Sequence, residues 1–151
     1  MSASADPDDI RNWDRRPDGI TTSGKLEAKD PARLASIGIK HVINLGTNDH
    51  PETLIDEAEL LAEHGIAYTH IPVPFDAPLR DHIDEMRSAL STNPGPCHVH
   101  CIMNYRVTAF FYVLDLESGV SQEMAHAQMA KTWNPLASDD PRAAPWRELL
   151  S

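Results

Sequence analysis

The chain has 151 residues, 41% of them hydrophobic, and its 13 Lys and Arg against 23 Asp and Glu give a net charge of −10 at neutral pH. That length can bury a core without disulfides or a structural metal, and the acidic total argues against a broad Lys/Arg surface for nucleic-acid phosphates. No apolar run approaches the roughly 20 residues of a membrane helix, and Cys97 and Cys101 are too few for a secreted disulfide scaffold, so the composition predicts a soluble, cytoplasmic domain with neither nucleic-acid nor membrane partners.

Residues 1–19 are rich in Asp, Ser, Pro and Arg, with Ile10 and Trp13 as their large apolar side chains. They read as a flexible N-terminal arm ahead of a domain spanning 20–151, and they lack the basic start and apolar core of a signal peptide. Asp30 before Pro31 predicts a helix start, Leu34 and Ile37 its apolar face, and Gly38 its end. A strand follows over 39–45. Leu54, Ala58 and Leu61 then repeat at helical spacing, Gly65 stops that helix, and a strand over 66–73 ends where Pro72 and Pro74 remove ladder donors. Two such units predict α/β layering around a small, mostly parallel sheet flanked by helices.

A loop over 74–78 leads to an amphipathic helix marked by Leu79, Ile83, Met86 and Leu90. The breaker Asn93-Pro-Gly-Pro96 precedes a short strand over 97–100. The nearly continuous apolar stretch 105–116 predicts a buried central helix. Ser121 caps a further helix with Ala125, Met129 and Trp133 on one face, and Asp140-Pro141 opens a short last one.

Chemistry concentrates in Val99-His100-Cys101-Ile102-Met103-Asn104-Tyr105-Arg106-Val107-Thr108. A strand ends, a loop turns and a helix begins. That turn gathers backbone N–H groups and the positive end of a helix dipole, which favours an anion and a thiolate at Cys101. Arg106, on the first helical turn, can clamp two oxygens with its planar guanidinium. The expected ligand is a phosphorylated substrate or a small oxyanion, held by Ile102, Met103, Asn104, Tyr105 and Thr108 with Cys101 and Arg106. Thr108 can instead back-bond within the helix, and Tyr105 can pack beneath the pocket. Cys97, about four strand steps of ~3.3 Å from Cys101, reads as structural. His98 and His100 alternate along one strand face, but no third ligand appears at a metal-binding spacing, so no metal and no cofactor are expected.

Val-His-Cys followed closely by Arg at the head of an apolar helix resembles the signature of cysteine-dependent, dual-specificity-like protein phosphatases. The segments Ile20-Thr-Thr-Ser-Gly24, Ile37-Gly-Ile-Lys-His-Val-Ile-Asn-Leu45 and Gly65-Ile-Ala-Tyr-Thr-His-Ile-Pro-Val73 are similar to the phosphatase-like domain of beta-lactamase-hydrolase-like proteins. The resemblance covers residues 20–116. It implies a single phosphatase-like domain, a phosphocysteine intermediate at Cys101, loop orientation by His100, and a general acid at Asp76, with Asp81 in reserve. Asp76 also fits an ordinary turn between prolines.

The pattern departs from those phosphatases in its loop. They place five residues between Cys and Arg and usually Gly third after the Cys; here four intervene, the third is Asn104, and Val107 falls in the Arg slot. Asn tolerates a left-handed backbone better than other non-glycine residues. A four-residue spacing is that of rhodanese-type sulfurtransferases, whose cysteine carries a persulfide. The leading expectation is a cysteine-dependent phosphatase acting on a phosphomonoester; the alternatives are a rhodanese-like sulfurtransferase with a Cys101 persulfide and a catalytically inactive, phosphatase-like domain that binds an anion or a partner.

Overall fold

The computed structural model describes residues 6–92 and 95–151. In chain order it contains β1 (Asp14–Arg15), β2 (Thr21–Ser23), α1 (Asp30–Ser36), β3 (His41–Asn44), α2 (Glu57–Ala62), β4 (Ala67–His70), α3 (Arg80–Thr92), β5 (Cys97–His100), α4 (Tyr105–Glu117), α5 (Gln122–Ala130) and α6 (Ala144–Leu150). Short 3₁₀ turns at Pro135–Ala137 and Pro141–Ala143 precede α6. The strands form one sheet in the order β1-β2-β5-β3-β4, parallel except for the β1–β2 pair. This is the expected α/β architecture. Among the described residues, no helix is long and apolar enough to cross a membrane.

The two faces of the sheet carry separate cores because side chains alternate along a strand. Val42 packs with Leu34 and Leu61 beneath α1 and α2. Ile43 and Val99 face α4, where Phe110, Met129 and Trp146 fill the larger core. Gly38 and Gly65 close α1 and α2 at φ 91° and 71°, left-handed positions that glycine occupies without a Cβ penalty. Asp30 is the first residue of α1 rather than its cap. Its carboxylate accepts the Glu27 N–H at 2.7 Å and Arg33 at 3.0 Å. Ser121 does cap α5, accepting the Met124 N–H at 3.2 Å.

Residues 6–19 are seated on the domain, not detached from it. Ile10 is buried, β1 pairs with β2, and Arg16 is buried against α4, where it donates to Asp115 at 2.6 Å and lies 4.0 Å over the Phe111 ring. A domain boundary at residue 19 would separate a strand from its sheet. The breaker residues Asn93 and Pro94 lie outside the described residues. Trp133, expected on the α5 face, falls after that helix ends at Ala130 and instead stacks on Tyr105, with ring centroids 4.8 Å apart.

Candidate active site

β5 is hydrogen-bonded between β2 and β3. Loops from the carboxyl ends of such central strands are where open α/β sheets bind ligands. Cys101 is the residue immediately after β5 and is 1% exposed. Its N–H donates to Ser23 O at 3.3 Å, so the strand frame holds it up to the turn. Asn104 takes a left-handed backbone, φ 68°, and α4 begins at the next residue. The asparagine in the usual glycine position therefore adopts the conformation that glycine would supply. Its side chain is buried and donates to Asn12 O at 2.8 Å and Thr22 Oγ1 at 3.0 Å.

Cys101, Ile102, Met103, Tyr105 and Arg106 line a cavity of about 300 Å³. His50, Phe75, Trp133 and Arg142 close its other sides. The sequence-predicted cysteine and arginine thus share one cavity. Val107 does not: it is wholly buried in the core, so Arg106 is the cation this loop offers. The short loop also sets how Arg106 is held. It is 6% exposed, its Nη1 donates to Val73 O at 2.8 Å, and its guanidinium carbon lies 5.8 Å from the Phe75 ring centroid. Trp146 Nε1 donates to Phe75 O at 2.7 Å, pinning the same segment from the other side. Thr108 back-bonds to Tyr105 O at 3.1 Å within the helix.

Asp76 and Asp81 are exposed and do not line the cavity, where Phe75 occupies the place next to Asp76. Asp140 does line it, but the Arg142 side chain and N–H hold its carboxyl down to about 2, ionised throughout the neutral range. His50 reaches the wall from the loop after β3. Its Nδ1 accepts the Glu52 N–H at 3.0 Å, which leaves Nε2 carrying the ring proton.

A buried polar layer lies under the loop. His100 Nδ1 faces Cys101 O at 3.1 Å and its Nε2 faces Glu57 Oε2 at 2.5 Å. Both partners are acceptors, so the ring is held as a double donor. Burial alone would drive it neutral, but the Glu57 charge and hydrogen bond prevail and raise its pKa. Asn44 donates to Glu57 and to Tyr68 and accepts the Gly46 N–H at 2.8 Å, fixing the corner where β3 leaves the sheet. Burial and the nearby Glu57 charge push the Tyr68 hydroxyl up to about 12. His98 takes the opposite state. Burial, reinforced by the His100 charge, lowers its pKa well below the usual value, and its nitrogens meet Thr21 and Ser23, each at 2.8 Å. Burial pushes the Cys97 thiol to about 12. Among the described residues, no group of three or more His, Cys, Asp or Glu could hold a metal ion.

At Gly24 the strand frame and the loop approach each other closely. A Cβ there would lie 2.4 Å from Ile102 O, a backbone atom. Gly24→Ala is expected to push the 101–104 loop out of place, costing about 1–3 kcal/mol by overpacking. Denaturant unfolding will read that loss, and Cys101 alkylation rates will read the displaced loop.

No family model and no curated protein matches the chain; solved structures do. A candidate phosphatase (DUF442) from Shewanella putrefaciens CN-32 matches at TM-score 0.79 and 26% identity, covering 94% of this chain and 90% of its own. Kinase associated phosphatase, with its catalytic-site cysteine replaced by serine, matches at TM-score 0.68 and 18% identity over 87% and 86% of the two chains. A cysteine-to-serine form of P. aeruginosa TpbA, in complex with pTyr, matches at TM-score 0.59 and 15% identity over 87% and 85%. The resemblance to cysteine-dependent, dual-specificity-like phosphatases holds at the level of the fold.

Proposed function

We propose that this protein is a cysteine-dependent phosphatase that hydrolyses a phosphomonoester, including those of phosphoproteins, through a phosphocysteine at Cys101. One observation carries the reading: a cysteine at a strand-to-helix turn shares the floor of a cavity with the first-turn arginine of α4. The loop amides and Arg106 bind the oxyanion, and Cys101 attacks phosphorus in line with the leaving oxygen. Thr108 and Asn104 shape the loop, while Tyr105 walls the pocket. The phosphatase fold supports this chemistry, and the pTyr held by TpbA shows the kind of ligand that such a fold accommodates.

For Asp76 to protonate the leaving oxygen, the 74–78 loop must turn so that its carboxylate replaces Phe75 at the cavity. Aryl phosphates, whose leaving oxygens need little protonation, are therefore the substrates expected to turn over first. The test is phosphate release from an aryl phosphate, from mildly acidic to neutral pH, with reductant and a metal chelator present. Release that survives the chelator and stops once Cys101 is alkylated supports the proposal; folded protein that releases none contradicts it.

A second reading is sulfur transfer through a Cys101 persulfide. The four-residue loop and the engagement of Arg106 with Val73 O favour it, since a smaller ring of amides suits a sulfur atom or small anion. Incubation with thiosulfate followed by mass spectrometry distinguishes the two: one added sulfur on Cys101 supports transfer, and an unchanged mass excludes it.

A further inference from the structure

The 101–104 loop is held from behind by residues far away in the chain. In a trans peptide the carbonyl of one residue and the N–H of the next point in opposite directions, and no cis bond occurs among the described residues. The Cys101 carbonyl accepts from His100 Nδ1 at 3.1 Å, the Ile102 carbonyl from Lys25 N at 2.9 Å, and the Met103 carbonyl from Asn12 Nδ2 at 2.9 Å. Each tie turns the following N–H, of Ile102, Met103 and Asn104, away from its own partner. Three successive amides are thereby oriented before any ligand arrives.

Two of the three ties are built into the strand frame, from β5 and from the segment after β2. The third comes from the N-terminal segment and is reciprocal. Asn12 donates to Met103 O, while the Asn104 side chain donates back to Asn12 O at 2.8 Å. Asn12 sits at φ 51°, a left-handed conformation that asparagine tolerates. Its neighbours fix it: Gly24 N donates to Arg11 O at 2.7 Å, and Trp13 stacks on the buried His98 with centroids 4.9 Å apart. Arg11 ties the loop to a neighbouring segment, pairing with Glu52, two residues beyond His50, and reaching Met103 Sδ at 3.3 Å.

The geometry points to Asn12 as a positioning residue of the anion loop: its side-chain amide aims the 103–104 peptide, so the N-terminal segment is part of the site and not an appendage to it. This rests on the reading of residues 101–106 as an anion-binding loop. Asn12 touches no substrate and acts through Met103 and Asn104.

The test uses Asn12→Gly, which keeps the left-handed backbone and the carbonyl that Asn104 needs while deleting Nδ2. Asn12→Asp is the second variant, placing an acceptor against the Met103 carbonyl. Arg15→Ala is the control, because Arg15 lies on the same segment but pairs with Asp6. Two quantities are read on the full chain: the pH midpoint of Cys101 alkylation by iodoacetamide, and the concentration of inorganic phosphate that protects Cys101. With one aiming hydrogen bond lost, the expected result for Asn12→Gly is a higher alkylation midpoint and about fivefold weaker protection. Asn12→Asp should move both quantities further in the same direction, and Arg15→Ala should move neither. Wild-type values in both Asn12 variants would overturn the proposal. Failure of phosphate to protect wild-type Cys101 would instead remove the anion-loop reading on which it rests.

Discussion

Cys101→Ser is expected to abolish turnover, by on the order of 10³-fold or more, while leaving the fold and the affinity for an oxyanion near those of the wild type. The loss follows from the nucleophile. The thiolate is the attacking form in such chemistry, and a thiol gives up its proton far more readily than a hydroxyl does. A serine hydroxyl at the same place has no adjacent base to deprotonate it: His100 Nδ1 is committed to the Cys101 carbonyl, and its Nε2 to Glu57. Retention of binding follows from the loop, whose carbonyl ties involve the cysteine backbone but not its sulfur. Phosphate release and phosphate binding, measured on the same preparation, should therefore separate. Equal loss of both would mean that the sulfur helps to hold the loop, and retained release would remove Cys101 from the reaction.

Glu57→Ala is expected to give the largest loss of stability among these substitutions, about 3–5 kcal/mol, or on the order of 10 °C in melting temperature for a chain of this size. Both partners are buried and 2.5 Å apart, so removing the carboxylate strands a doubly donating imidazole in the polar layer. Glu57→Gln separates charge from volume, since the amide can still pair with a neutral ring. The pH dependence has a definite sign. His100 gains its partner in the folded state and its pKa is raised above the ordinary value near 6.5. Its contribution is therefore complete below that unfolded value and is lost as pH rises through the folded one. The melting advantage of wild type over Glu57→Gln should be greatest at about pH 6 and should narrow on the alkaline side. A constant advantage across that range would place the charge elsewhere.

The alternation of helix, glycine and strand was readable in the sequence because each unit carries its own stop signal and apolar spacing. The cysteine turn was readable because strand, loop and helix are contiguous there. What failed was phase and distance. Leu54, Ala58 and Leu61 suggested the buried stripe of α2, yet Ala58 is exposed and Glu57 is buried beside Leu61. Glu57 stands at i−4 from Leu61, so the helical repeat permitted that face, but an acid on it makes sense only once His100 is known to lie beneath. His50 reaches the cavity from the loop after β3, and Trp133 and Arg142 from the connection between α5 and α6, where no periodicity reports on position. Asp76 illustrates the converse. A proline-bracketed acid can be recognised in the sequence, but which side chain of the loop turns inward is decided by Trp146 and Arg106, which grip Phe75 O and Val73 O.

The contacts that complete the site also determine when it can form. Asn12 meets Met103 and Asn104 across sequence separations of 91 and 92 residues, and Thr21 pairs with His98 across 77. Local helices close small loops quickly, whereas contacts this remote must overcome the entropy of closing most of the chain. During refolding, helical signal is therefore expected to recover first, and the reactivity of Cys101 only when residues 10–15 have docked against the 101–104 loop. On the ribosome the order is fixed by synthesis: the clasp emerges early and waits for the loop that it will hold.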